Sequence, residues 1–223
     1  MRKLLMWLVA AQPVCWRVAL GALVLAVLLA GQGQAAIRID LNNPNAAPIP
    51  VAVPDLYGAT PDSAKYAADL AGVITNNLSH STPFKVLNRK AFTQSPAQMA
   101  AQGPAFADWR AIGADALLTG TVEVEGGSIR VEYRLYDPNS ETQLAGQRYK
   151  VDLKFWRHLA HRISDDIYTA MTGEEGYFAT RIVHIGEDRG PDGKTRKRLC
   201  VMDQDSANYQ CLTDGNSLVL TPR

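Results

Sequence analysis

Between Phe155 and Met171 apolar side chains return at every fourth position, as Phe155, Leu159, Ile163, Ile167 and Met171. That recurrence predicts a helix with one apolar side. His161, Arg162, Asp165 and Asp166 are expected largely on its other sides. The pattern stops at Thr172-Gly173, where glycine can take the left-handed conformation of a C-terminal cap. Past Glu174-Glu175-Gly176 the period becomes two, with Tyr177, Ala179 and Arg181 alternating with Phe178, Thr180 and Ile182. A closing helix hands over to an opening strand, which marks a domain boundary.

Upstream, Pro48–Pro54 reads as a first strand with Ile49, Val51 and Val53 on one side. Its alternate prolines cannot donate to a ladder. Thr60-Pro61-Asp62-Ser63 is an N-cap with proline at the first helical position. The helix it opens runs to about Ser79 and buries Tyr66, Leu70, Val73, Ile74 and Leu78. Phe84–Leu87 is a second strand, and Trp109 and Ile112 belong to a short helix ending near Gly113. Both Trp109 and Trp156 are expected to be substantially buried. Three strands follow, Ala116–Val124, Ser128–Tyr136 and Gln143–Leu153, turning at Glu125-Gly126-Gly127 and Asp137-Pro138-Asn139. In the middle one Ile129, Val131, Tyr133 and Leu135 face in. The order predicts an α/β domain, a mixed sheet with helices packed on it, over residues 48–173.

Residues 177–223 read as antiparallel strands: Tyr177–Ile185, then Lys197–Met202 and Asn208–Thr213 about an Asp203-Gln204-Asp205-Ser206 turn. With the turn centred between Asp205 and Ser206, the register sets Cys200 opposite Cys211. A disulfide is the preferred reading. A one-residue slip would put the two thiols on opposite faces and leave them free.

The first 36 residues carry Arg2, Lys3 and Arg17, no acidic residue, and the apolar run Val18–Ala30 before small residues. This describes a signal peptide, with a membrane anchor as the alternative. Residues 37–47 then form an N-terminal segment. Ile37, Ile39 and Leu41 alternate with Arg38 and Asp40 before an Asn-Pro-Asn tether. It is either an edge strand or a detachable segment that adds to a partner's sheet. Twenty-three basic residues stand against twenty-two acidic ones. Three of the basic residues leave with the leader, so the remainder is slightly acidic and nucleic acid is not an expected partner. Only Cys200 and Cys211 persist beyond the leader, in a compartment that permits oxidation.

Candidate chemistry is sparse. His158, His161 and Asp165 lie at i, i+3 and i+7, a spacing that could ligate a metal, but a solvated helix face with an inter-domain hydrogen bond is the preferred reading. Asp165 and Asp166 are neighbours, about 100° apart on a helix, so they do not converge on one atom. His80 and His184 are isolated. Hydrolase, zinc-protease, P-loop and redox motifs are absent from the chain. No catalytic residue, metal or cofactor is expected. Lys194–Arg198 reads as a solvated hairpin base rather than a nucleic-acid patch.

The positions Trp156-Arg157, Ala160-His161, Ile163-Ser164-Asp165, Ile167-Tyr168, Thr172-Gly173, Gly176, Phe178 and Thr180-Arg181-Ile182 resemble the inter-domain helix and first propeller strand of the TolB family. The resemblance implies an anticodon-binding-like α/β domain followed by the incomplete start of a β-propeller, residues 177–223 forming part of its first blade. It implies that Trp156, His161, Asp165 and Arg181 lie at the inter-domain junction. It further implies a non-enzymatic periplasmic protein of the Tol-Pal envelope system, peripheral to the membrane. Such a protein would contact TolA through Ile37, Arg38, Ile39, Asp40 and Leu41, bind the lipoprotein Pal through the propeller, and possess other outer-membrane partners. It would maintain outer-membrane integrity and constriction during cell division. The N-terminal part of a secreted propeller-bearing hydrolase or peptidase is the alternative, because propellers serve both roles.

Overall fold

A computed structural model describes residues 47–190, 193 and 195–215. The expected signal peptide and the segment Ile37–Leu41 lie outside the described residues.

Strand β1 (Ile49–Ala52) sits between β3 (Phe84–Val86) and β4 (Ala116–Glu125) and runs parallel to both. A two-residue β2 (Tyr57–Gly58) also pairs with β4. β4, β5 (Ser128–Asp137) and β6 (Thr142–Asp152) form an antiparallel meander, giving the sheet order β3-β1-β4-β5-β6. The sheet is therefore mixed, as the sequence pattern implies. Pro50 is tolerated in an inner strand because pairing with β4 starts one residue later, at Val51. The missing N–H thus costs no ladder bond, while the Pro50 carbonyl still accepts from Asp115 N at 2.9 Å.

Helix α1 (Pro61–Ser79) starts at Thr60, whose hydroxyl accepts from Ser63 N at 3.2 Å. It and the closing helix α4 (Trp156–Thr172) cover one face of the sheet. Val51, Val53, Leu70, Ile74, Leu118 and Ile163 are each fully buried in the core they share. The alternation read in β5 places Ile129, Val131, Tyr133 and Leu135 in that core.

The opposite face is not bare. Helix α2 (Pro96–Gln102) and helix α3 (Phe106–Ala111) form a smaller core there, with Met99 and Trp109 packed on Ala52 and Leu117. Trp109 is buried, its indole N–H donating to Gln94 Oε1 at 3.2 Å. Helices thus lie on both faces, and α2 escaped the pattern reading because it buries only Met99. Its signal was local: Ser95 and Gln98 make a reciprocal capping box around Pro96. Trp156 is only partly buried, with its ring 5.9 Å from that of Tyr66.

After α4, strands β7 (Arg181–Arg189), β8 (Thr195–Asp203) and β9 (Gln210–Cys211) make a second sheet in the order β7-β8-β9. The ladder begins at Arg181, not at Tyr177. The amides of Phe178 and Ala179 are already bonded elsewhere, so residues 177–180 cannot enter it.

Candidate interaction site at the helix–blade junction

Gly173 caps α4 with φ +78°, its N–H bonded to Thr169 O. The chain then doubles back along the helix it has just left. Asp165 makes this possible. Its carboxylate accepts from Phe178 N at 2.6 Å and from Ala179 N at 3.1 Å, satisfying two amides that a buried turn would otherwise orphan. Burial raises the Asp165 carboxyl above its usual range, against the two amide donors, which lower it. At Gly176 an added Cβ would lie 2.4 Å from Asp165 Cα, so the turn closes only around glycine. Phe178 is buried in the main core, 6.0 Å from the ring of Tyr168, which in turn meets Phe84.

A turn earlier on α4, polar groups hold the 203–206 turn of the blade. Arg157 donates to the Asp205 carboxylate. His161 Nε2 stands 3.6 Å from Asp205 Oδ2. Asn77 of α1 links both parts. Its Nδ2 bonds Ser164 Oγ at 2.9 Å and faces His161 Nδ1 at 3.0 Å, while its Oδ1 accepts from Gln204 Nε2 at 2.8 Å. With Nδ1 accepting, the His161 proton sits on Nε2, facing Asp205. Burial holds His161 below the ordinary histidine value, against the pull of Asp205 and Asp203. For Asp205 burial works upward, but Arg157 and Ala207 N–H outweigh it and keep the carboxyl below its usual value.

The helix sides that lie off the apolar stripe are therefore partly buried as well. His161 and Asp165 are buried because α1, the linker and the blade turn all pack against α4. Phe155 instead precedes the helix and is 52% exposed. The junction residues separate into distinct contacts. Arg181 Nε lies 3.6 Å from Asp203 Oδ1, across the first rung of the β7–β8 ladder. Trp156 packs on Tyr66.

His158, His161 and Asp165 do not share a focus. His158 is exposed, His161 turns to Asn77 and Asp205, and Asp165 turns to the linker amides. Sequence spacing missed a different set, because two of its members come from the blade turn: His161, Asp203 and Asp205 bring ligand-type atoms within 4.8 Å of one another. Each of those carboxylates already faces a guanidinium, Arg157 or Arg181, and the imidazole presents a proton rather than a lone pair. Asp166 accepts from the hydroxyls of Tyr133 and Tyr149 at 2.9 and 2.6 Å, so it and Asp165 serve unrelated partners.

On the blade, Cys200 and Cys211 are directly opposed and joined by a disulfide, with Cα atoms 3.9 Å apart. The basic base of the β7–β8 hairpin is matched by acid: Lys197 pairs with Glu187 at 2.9 Å and Arg198 with Asp188.

Residues 37–144 match the TolB amino-terminal domain family. The Tol-Pal system protein TolB of Paramagnetospirillum magneticum (strain ATCC 700264 / AMB-1) is 44% identical over 191 residues, which cover 85% of this chain and 42% of that protein. The crystal structure of TolB from Acinetobacter baumannii superimposes with a TM-score of 0.64 at 21% identity, covering 79% of this chain and 41% of that one. The chain thus spans about two fifths of the length of these relatives. By both sequence comparisons the chain is similar to TolB, with residues 37–144 matching the TolB amino-terminal domain.

Proposed function

We propose that the chain acts as a non-enzymatic interaction protein of the Tol-Pal envelope system, located in the periplasm and peripheral to the membrane. The observation that carries this reading is the 44% identity to a Tol-Pal system protein over 85% of the chain. The junction supports it. The titratable groups at its centre are committed to holding one domain on the other: Asp165 to the linker amides, His161 to Asn77, Asp205 to Arg157. Groups so engaged bind and position structure rather than turn over a substrate. Among the described residues, no helix is long and apolar enough to cross a membrane.

In this reading Ile37–Leu41 is the contact for TolA, offered as an extended strand with main-chain bonds to share. The blade region contributes to binding Pal, and the complex serves outer-membrane integrity and constriction during division. Titration of the full chain with the soluble periplasmic part of TolA should give a saturable isotherm that disappears when residues 37–43 are deleted. An isotherm unchanged by the deletion removes the segment from the contact. Absence of any complex with either TolA or Pal overturns the reading.

A further inference from the structure

Strand β6 ends the larger sheet: β5 pairs with one side of it, and among the described residues nothing pairs with the other. The direction of its main-chain groups follows from the bond at its end. Leu153 N donates to Gly127 O at 2.8 Å, in the same register as the β5–β6 ladder. Antiparallel pairs alternate between bonded and non-bonded. Ala145, Gln147, Tyr149 and Val151 therefore turn N–H and C=O toward β5, and Gly146, Arg148 and Lys150 turn theirs outward. The same alternation directs Val124 N away from β5, and it is found bonded to Ser63 Oγ at 3.0 Å.

Beside this edge, on the helix side of the sheet, a cleft of about 720 Å³ opens between β6 and α4. Tyr133 and Tyr149 floor it, stacked with ring centroids 6.4 Å apart and both hydroxyls on Asp166. Three carboxylates, Asp165, Asp166 and Glu175, line it against one guanidinium, Arg162. Glu175 is exposed at its rim and makes no ion pair among the described residues. The other face of β6 is of mixed charge, with Arg148 and Lys150 both exposed and Arg148 paired with Glu132 of β5.

We propose that the β6 edge and this cleft form a docking site for an extended basic peptide segment of another protein. The segment adds as a further strand, bonding to the outward groups of Gly146, Arg148 and Lys150. Side chains of an added strand alternate between the two faces. Every second position therefore enters the acidic cleft and selects lysine or arginine, where the Tyr149 ring and the carboxylates of Asp166 and Glu175 receive the cation. The intervening positions lie over a face where Arg148 is already paired with Glu132, and do not select a basic residue. This recognition uses the first domain and the start of the linker that follows it, and is separate from the N-terminal segment and the blade.

The test is fluorescence anisotropy on the full chain with a labelled heptapeptide in which lysine alternates with threonine. A second probe carries glutamate in place of lysine, and a third is the lysine peptide N-methylated at alternate residues. The lysine probe should bind in a saturable manner and the glutamate probe about tenfold or more weaker, as expected for charge complementarity. Glu175→Lys should weaken the lysine probe by a similar factor. Arg148→Pro removes an outward donor while sparing the β5 ladder and should reduce binding comparably. The N-methylated probe repeats that test without altering the protein, and should bind weakly if its methyl groups face the edge. No binding of the lysine probe, or binding indifferent to both N-methylation and Glu175→Lys, overturns the proposal. So does a concentration-dependent dimer abolished by Arg148→Pro, which would assign the edge to a second copy of this chain.

Discussion

The two sheets of this protein are built from similar strands, yet only one of them is sealed. In the larger sheet, β1 and β4 bury residues on both faces, against α1 and α4 on one side and α2 and α3 on the other. In the smaller sheet, Ile182, Val183, Tyr209 and Leu212 are all more than 40% exposed. Its fixed points are few: Phe178 in the neighbouring core, Asp205 under Arg157, Gln204 on Asn77, and the disulfide. Apolar content does not itself make a core, because a sheet needs something to close over it. The blade region is held by specific polar contacts and one aromatic anchor, the domain by enclosed volume.

The widest expected difference is between matched truncations. Ile163→Ala, in the sealed core, should cost about 2–5 kcal/mol in denaturant unfolding followed by helix circular dichroism. Ile182→Ala should stay within about 0.5 kcal/mol. Equal losses would erase the distinction. Next in size, Asp165→Ala strands the amides of Phe178 and Ala179 and should cost about 1–3 kcal/mol. It should also open residues 177–190 to limited proteolysis while the first domain resists. A cleavage pattern identical to that of the unaltered chain would show that the linker is held by Phe178 packing alone.

Reducing the Cys200–Cys211 bridge should loosen only the β8–β9 hairpin. Loop closure over so short a separation is worth at most about 3 kcal/mol, and Ile163-centred unfolding should be unmoved. Loss of the whole domain on reduction would place the bridge in the main cooperative unit.

The smallest effect is the pH response of the junction. His161 has its folded-state value lowered, chiefly by burial. It therefore binds protons more readily when unfolded. Its contribution is present above the ordinary histidine value, about 6.5, and is lost as pH falls through the lowered folded value. Proteolysis at the 203–206 turn should rise as pH drops below 6.5, and His161→Gln should flatten that rise. Asp165, raised by burial, works in the opposite sense near the ordinary carboxylate range. The histidine response is therefore best read between pH 7.5 and 5.5.

Legibility in the sequence followed the same division. Wherever a strand or helix buries one face against volume, the period gave its residues away, as in Ile129, Val131, Tyr133 and Leu135 or Leu70 and Ile74. The Gly173 cap was equally plain, because a left-handed turn requires that residue. Polar burial left no such periodic trace. Periodicity did not identify partners for His161 and Asp165, which only the family resemblance set at the junction, because Asn77, Phe178 and Asp205 lie 84, 13 and 44 positions away and follow no local rule. Tyr177 and Phe178 alternated like a strand, yet a side-chain carboxylate had claimed the amides that a strand would need. The set His161, Asp203 and Asp205 could be assembled only once the blade turn was placed against the helix.

The position of β1 carries a consequence for how the chain becomes a protein. Synthesis delivers residues in order, and domains fold as their parts emerge. The strand Ile49–Ala52 is among the first described parts to appear, yet both of its neighbours come later: Phe84–Val86 and then Ala116–Leu117. The meander β4-β5-β6, by contrast, needs only adjacent turns and can form as soon as it is made. An apolar strand therefore waits for the 35 positions that separate Ile49 from Phe84 without any partner, and for the 65 that separate Val51 from Ala116 without its second. Pro50 within it, and Pro48 and Pro54 on either side, each lack the N–H that a chance partner strand would need. The prolines that look like defects in an inner strand are, in this light, of the gatekeeper kind that guards an exposed apolar strand against mispairing.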